Sequence, residues 1–346
     1  MKYNYAKIEK IFNISASITK TGFLKQESTG VIPTAHKENG TRYWTIDQLP
    51  EIGERYGFLD HAKFKKPVCV SVLGSKGGIS KSTLTFSIAR TYALSNYKTI
   101  VVGLDYSGDI SNQLSGGQLN SNEDDDTATL ETISEKPSVL GLYDMLTNPS
   151  VNLEQTIQKT EIPTLDYIPE THSLNMMAEI LSSKAKREYW LKENVIKKLK
   201  KEYQVIIIDL SPSWNQLTTN AITSSDIIIA PLETKVFHFQ NHKNFVNHLT
   251  EFQELMELKN QKVVYVPTRY SPAKKLSSEI RKFYLANLPN CCSSFVRESN
   301  IFEEANAQYL SVIESAPQSI VAQEMRELLS EIHNYITEEK AIKKWH

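Results

Sequence analysis

Short runs rich in Val and Ile recur along the middle of the chain, separated by stretches whose apolar residues return at helical spacing. "PVCVSVL", "KTIVVGLD", "TLDYIP", "YQVIIIDLS", "DIIIAPL" and "KVVYVPTR" each read as a strand, and "KSTLTFSIARTYALSN" reads as a helix between the first two. These strands are apolar at nearly every position instead of alternating, which is the pattern of a sheet covered on both faces. Their alternation with helices predicts an α/β fold, a mostly parallel sheet flanked by helices.

The ends of the chain depart from this rhythm. A break falls at "HAKFKKPVCV", where Pro67 closes a basic stretch, so residues 1–65 read as one small unit and 66–346 as a second. In the first unit, two helical segments flank a turn at residues 13–15, and residues 30–49 carry a Gly-containing turn and a short strand. Residues 120–138 are polar and acidic, as expected of a surface loop. The tail, about 318–342, places Val321, Met325, Leu328, Leu329, Ile332 and Ile336 on one helical face. Its frequent Glu, with basic residues only at the end, favours docking onto the sheet domain over a membrane surface.

Composition changes this picture little. The 346 residues are 40% hydrophobic and 23% charged, ordinary for a globular protein of more than one domain. No apolar run approaches the ~20 residues that span a bilayer, and "MKYNYAKIEK" lacks a signal-peptide core, so a cytoplasmic protein is expected. Cys69, Cys291 and Cys292 fit neither a disulfide framework nor a zinc spacing. Charge is informative only in its distribution: residues 1–66 carry +4 and the remainder about −5. A small basic unit on an acidic body hints at nucleic-acid contact.

The candidate chemistry lies in "VSVLGSKGGISKST", a strand, a glycine-containing loop and a helix start. Such a junction aims backbone N–H groups and the positive end of a helix dipole at an anion, so it suits phosphate. Gly77 and Gly78 allow close backbone approach; Ile79, Ser80 and Thr83 complete the loop and first turn. Lys81 is placed to reach the β- and γ-phosphates of ATP, or the β-phosphate of ADP, and Ser82 to hold Mg²⁺. The usual G-x-x-x-x-G-K-[ST] pattern is broken at both outer glycines, here Ser75 and Ser80, and a second lysine, Lys76, stands at the loop entrance.

"KGGISKS" resembles the loop of the deviant Walker family, in which the early lysine reaches across a nucleotide-sandwich homodimer to the partner's phosphates. That resemblance makes Lys76, Lys81 and Asp105 the catalytic candidates. Asp105, in "IVVGLDYSGDIS", matches the second carboxylate of the family's D-x-D element and would position the attacking water. Gly103 stands where the first carboxylate belongs and leaves its role unfilled. Asp209, ending "YQVIIIDLS", resembles a Walker B carboxylate that holds Mg²⁺ through water.

Over most of its length the chain is similar to ParA-type DNA partition ATPases, with "LTTNAITSSDIIIAPLET" and "VRESNIFEEANAQYLSVIESAPQS" at corresponding places. The resemblance implies Thr268 and Arg269 near the adenine. It implies non-specific DNA contacts from the late cations Lys274, Lys275, Arg281, Lys282 and Arg297. Residues 30–49 resemble the wing of MerR-like winged helix-turn-helix domains. Ser17, Thr19, Lys20 and Lys25 would then face a DNA groove, and Arg42 and Tyr43 would meet phosphate. The implied partners are a ParB-like centromere-binding protein, non-specific DNA and an operator, without a membrane. Two other readings stay open: a nucleotide-switched repressor with negligible hydrolysis, and a cargo-positioning ATPase of the same fold.

Overall fold

The computed structural model describes residues 1–346 apart from 79, 118–138, 172, 236–238 and 338–346. Six parallel strands form its centre: β3 (Val68–Val72), β4 (Thr99–Leu104), β6 (Leu165–Ile168), β7 (Val205–Leu210), β8 (Ile227–Glu233) and β9 (Lys262–Thr268). Each falls on one of the six apolar runs. A two-residue edge strand, β5 (Gln158–Lys159), pairs antiparallel with β6, giving the order β5-β6-β4-β7-β3-β8-β9. Two residues carry no periodic signal, so β5 is absent from the sequence reading. Strands β3, β4, β6, β7 and β8 are buried along their whole length, as their unbroken apolar runs require.

The order places β7 between β3 and β4. Consecutive strands therefore diverge at their C-terminal ends, the switch point at which open α/β sheets bind ligands. In register, Asp209 of β7 lies opposite Val72 at the end of β3 and opposite Gly103 of β4. The helix α4 (Lys81–Leu94) starts beyond β3 and is buried from Leu84 to its end. An ion pair fixes this helix from behind. Arg90 donates to Glu314 from Nε and Nη2, both at 2.7 Å, and from Nη2 to Glu161 at 2.8 Å.

The N-terminal residues form α1 (Tyr5–Phe12), α2 (Lys20–Ser28), a hairpin of β1 (His36–Glu38) and β2 (Thr41–Tyr43), and α3 (Leu49–Tyr56). Asn13 ends α1 in the left-handed region and Thr19 caps α2 by accepting from Gly22 N. Asn39 and Gly40 turn the hairpin, both with positive φ. This unit is not strung on a linker. Ile8, Phe23, Trp44 and Ile52 belong to the same apolar core as Val70, Tyr92 and Leu329. A Cβ on Gly53 would lie 1.7 Å from Leu94 O, so α3 touches the end of α4 backbone to backbone. The C-terminal helix, Ile320–Thr337, docks as its apolar stripe predicts, with Val321, Met325, Leu328, Leu329 and Ile332 buried. Its Arg326 donates to Lys10 O at 2.7 Å, closing the end of α1.

Candidate nucleotide site

The loop between β3 and α4 has the backbone of a phosphate cradle. Gly78 is at φ +70° and Ser80 at φ +72°. Ser80 thus adopts the left-handed conformation that the usual pattern reserves for glycine, a local strain of about 1–2 kcal/mol of the kind concentrated at functional loops. Ile79 lies outside the described residues. Lys81 is buried and its Nζ points back over the loop, 3.4 Å from Lys76 O. Ser82 and Thr83 are half-buried at the start of α4.

Below the loop, two hydroxyls converge on one carboxylate. Ser82 Oγ donates to Asp209 Oδ2 at 3.1 Å and Thr85 Oγ1 to Oδ1 at 2.5 Å. Asp209 is fully buried, and burial pushes its carboxyl up to about 6; the two hydroxyls and Lys81 pull it down, and Asp105 adds repulsion. A buried carboxylate and a serine hydroxyl offer oxygen donors that fit a hard divalent ion, and the Lys81 cation at the helix start suits the polyphosphate beside it. Thr85 escaped the sequence reading. One helical turn beyond Ser82 it shares that residue's face, and only the fold shows that this face meets β7.

Asp105 is 9% exposed, and its Oδ1 accepts from Ser107 N at 3.2 Å, bracing the turn that leads into α5 (Asp109–Leu114). On the opposite flank, Lys76 Nζ lies 2.6 Å from Glu233 Oε2 at the end of β8. Lys235 and Arg269 reach the same carboxylate at 3.2 and 3.7 Å. Burial pushes the Glu233 carboxyl up, but the bonds from Lys76 and Lys235 outweigh it and hold it below its ordinary value. In the single chain, therefore, Lys76 is engaged within its own subunit. Thr268 is buried, and among the described residues its Oγ1 has no hydrogen-bond partner; Arg269 is partly exposed at φ +49°.

A model of the AAA domain family, AAA_31, matches residues 68–263, which run from β3 into β9. The chain belongs to that family. It is 23% identical to the cell division protein PomZ of Myxococcus xanthus, over 75% of this chain and 76% of that protein. To the chromosome partitioning protein ParA of Caulobacter vibrioides it is 24% identical, over 62% of this chain and 73% of that one. Cobyrinic acid a,c-diamide synthase from Mycobacterium smegmatis, solved with an ATP analogue and magnesium, shares the fold at TM-score 0.61 and 18% identity. The match covers 81% of this chain and 100% of that one.

The candidate DNA contacts divide into exposed and engaged groups. Ser17, Thr19, Lys20 and Lys25 are exposed on and before α2, with Thr19 committed to its cap. Arg42 is held by the buried carboxylate of Glu27, and Tyr43 stacks on His36 at 5.5 Å beneath the Lys2 ammonium. Lys274, Lys275 and Lys282 are exposed, the first two beside Glu298 and Glu279. Arg281 lies over the rings of Tyr270 and Phe295, and Arg297 is gripped by both oxygens of Glu324. Arg42 and Arg297 each have a protein carboxylate as partner. Among the described residues, no cluster of His, Cys, Asp or Glu is arranged to hold a metal directly, and no helix is long and apolar enough to cross a membrane.

Proposed function

We propose that this protein is a DNA-partition ATPase that binds ATP with Mg²⁺, assembles a nucleotide-sandwich homodimer on DNA and is released by slow hydrolysis. The observation that carries this reading is the convergence of Ser82 and Thr85 on Asp209 beneath a two-lysine loop over which Lys81 folds back toward Lys76 O, in a chain similar to partition and cell division proteins. Lys81 neutralises the β- and γ-phosphates, while Ser82 and, through water, Asp209 hold the ion. Bound Mg²⁺ supplies charge neutralisation at the transferring phosphoryl group. Asp105 orients the attacking water. Lys76, released from Glu233, adds a cation from the partner subunit in the manner of an arginine finger.

Residues 1–65 act as a winged helix-turn-helix that reads an operator and represses the protein's own operon. The support is an exposed α2 face carrying Lys20, Thr21, Lys25 and Ser28 beside a hairpin tip at Asn39 and Gly40. Lys274, Lys275 and Lys282 supply salt-sensitive contacts to any DNA. A ParB-like partner stimulates turnover, and the protein is cytoplasmic and nucleoid-associated. The similarity to a cell division protein favours one alternative, positioning of a protein cargo by the same cycle. ATP turnover measured alone, with non-specific DNA and with the product of the adjacent downstream gene tests the reading. Slow turnover that rises only with DNA and that product together supports it. Turnover near zero under all three conditions, with nucleotide still tuning operator binding, replaces it with a repressor switch.

A further inference from the structure

Gly103 leaves the first carboxylate of the D-x-D element missing, and the structure shows what fills the space. A Cβ built on Gly103 would lie 2.4 Å from Glu170 Cδ, 2.6 Å from its Cγ and 2.8 Å from its Oε1. The carboxyl group of Glu170 thus occupies the volume that any side chain at position 103 would need. Glu170 reaches it from the next strand: β6 runs parallel to β4 with Ile168 opposite Val102, and Glu170 follows Pro169 beyond that end.

The side chain is clamped in place. Ser111 of α5 donates to Oε2 from its backbone N at 3.1 Å and from its hydroxyl, and the same hydroxyl accepts from Glu170 N at 3.0 Å. The other oxygen is left over. Oε1 is enclosed, and among the described residues it has no hydrogen-bond partner. Enclosed polar atoms of native proteins nearly always have partners, so an orphan beside Gly103, one strand from Asp209, marks a position that a water or ligand completes. Burial pushes this carboxyl up to about 8 against the pull of Ser111, and the Asp209 charge adds to the rise. Asp209, opposite Gly103 in the sheet, is therefore an electrostatic neighbour of Glu170.

We propose that Glu170 supplies the carboxylate that Gly103 lacks, its Oε1 accepting a hydrogen bond from a water at the phosphate end of the site while Ser111 holds the other oxygen. The acidic function has moved from β4 to the end of β6, and Gly103 is the residue that admits it. Glu170 is a positioning residue that acts through that water and, through Ser111, on the α5 turn braced by Asp105. The role rests on the ATPase reading above.

The test combines Glu170→Gln, Glu170→Ser and the exchange Gly103→Asp/Glu170→Ser in the full chain, with ATP turnover and fluorescent-nucleotide binding measured on each. Glu170→Gln keeps the shape and, with its amide oxygen on the Ser111 donors, puts an NH2 donor where the water-accepting Oε1 stood. It is expected to lower kcat at least ~10-fold with KM within about 2-fold, the signature of a lost transition-state interaction. The exchange variant returns the carboxylate from the family's own position and is expected to recover turnover to within about 10-fold of wild type, which a merely structural role does not predict. Gly103→Ala checks the geometry without activity: it lowers the melting temperature in the wild-type background and not in Glu170→Ser, where the crowding carboxyl is gone. A wild-type chain that turns over, with Glu170→Gln and Glu170→Ser matching it, overturns the role of Glu170 alone. A wild-type chain that binds nucleotide without turnover overturns the ATPase reading and this role with it.

Discussion

The ion pair behind the P-loop helix allows a worked prediction. Arg90 is 2% exposed and the Glu314 side chain 0%, yet they meet through two 2.7 Å bonds. Burial opposes the charge on Arg90, but attraction to Glu314 and Glu161 overcomes it; burial likewise pushes the Glu314 carboxyl up, and Arg90 brings it below its ordinary value. Arg90→Met keeps much of the volume and leaves Glu314 with the two bonds from Ser311, at 3.2 and 2.6 Å. Removing one partner of such a pair costs about 3–5 kcal/mol. Unfolding entropy near 2.1 cal/mol/K per residue gives about 0.7 kcal/mol/K for 346 residues, so the melting temperature should fall by about 4–7 °C. In the variant the orphaned Glu314 has a raised carboxyl, whose stabilising contribution is full at low pH and lost as pH rises. The deficit against wild type should therefore be smaller at pH 5 than at pH 8. Thermal melts by circular dichroism at both pH values read it, with Arg90→Met/Glu314→Leu recovering most of the loss. A fall below about 1 °C at pH 8, or a deficit independent of pH, refutes the reasoning.

Other expectations follow from the same geometry. Lys81→Ala should weaken ATP binding at least ~100-fold by removing the cation within the loop; titration with a fluorescent analogue showing unchanged affinity sinks the phosphate assignment. Lys76→Ala should bind nucleotide as before but form no ATP-dependent dimer, so light scattering that detects a normal dimer removes the trans role. Glu170 gains stability from being neutral: its carboxyl is raised from 4.5 to about 8, so that contribution is full below 4.5 and lost as pH climbs through 8. Glu170→Gln, neutral at every pH, should become the more stable protein above about pH 8, by an amount of order 5 kcal/mol at most. Parallel melting curves from pH 5 to 9 would contradict this. Gly53→Ala inserts a methyl 1.7 Å from Leu94 O and should pry α3 from α4, read as faster proteolysis within the first 65 residues; an unchanged cleavage pattern argues against that contact.

What could be read from residues alone divides by distance along the chain. The six parallel strands were legible because burial on both faces writes an unbroken apolar run into each. The phosphate loop was legible because its residues are contiguous. The partners that tune it were not: Glu233 meets Lys76 from the end of another strand, and Glu314 lies 224 residues from Arg90. Gly103 could be seen only as a gap, since Glu170 comes to it from 67 positions further along. The settings of the arginines were hidden for a related reason. Arg42 and Arg297 are basic in sequence, but Glu27 and Glu324 neutralise them in space.

The contact of α3 with α4, together with the Arg326 bond to α1, leaves the first 65 residues without a swivel. They pack directly on the P-loop helix. Two chains joined across their nucleotide sites would carry their hairpins and α2 helices at a set span, like the jaws of a caliper. On the proposed operator reading, a bipartite site would then be read only in phase. Five extra base pairs between half-sites rotate one jaw's target by about half a helical turn, to the far side of the duplex, whereas about ten bring it back to the same face at a longer reach. By the same coupling, whatever opened or closed such an interface would change the setting of the jaws, and so which spacing of DNA the proposed dimer could grip.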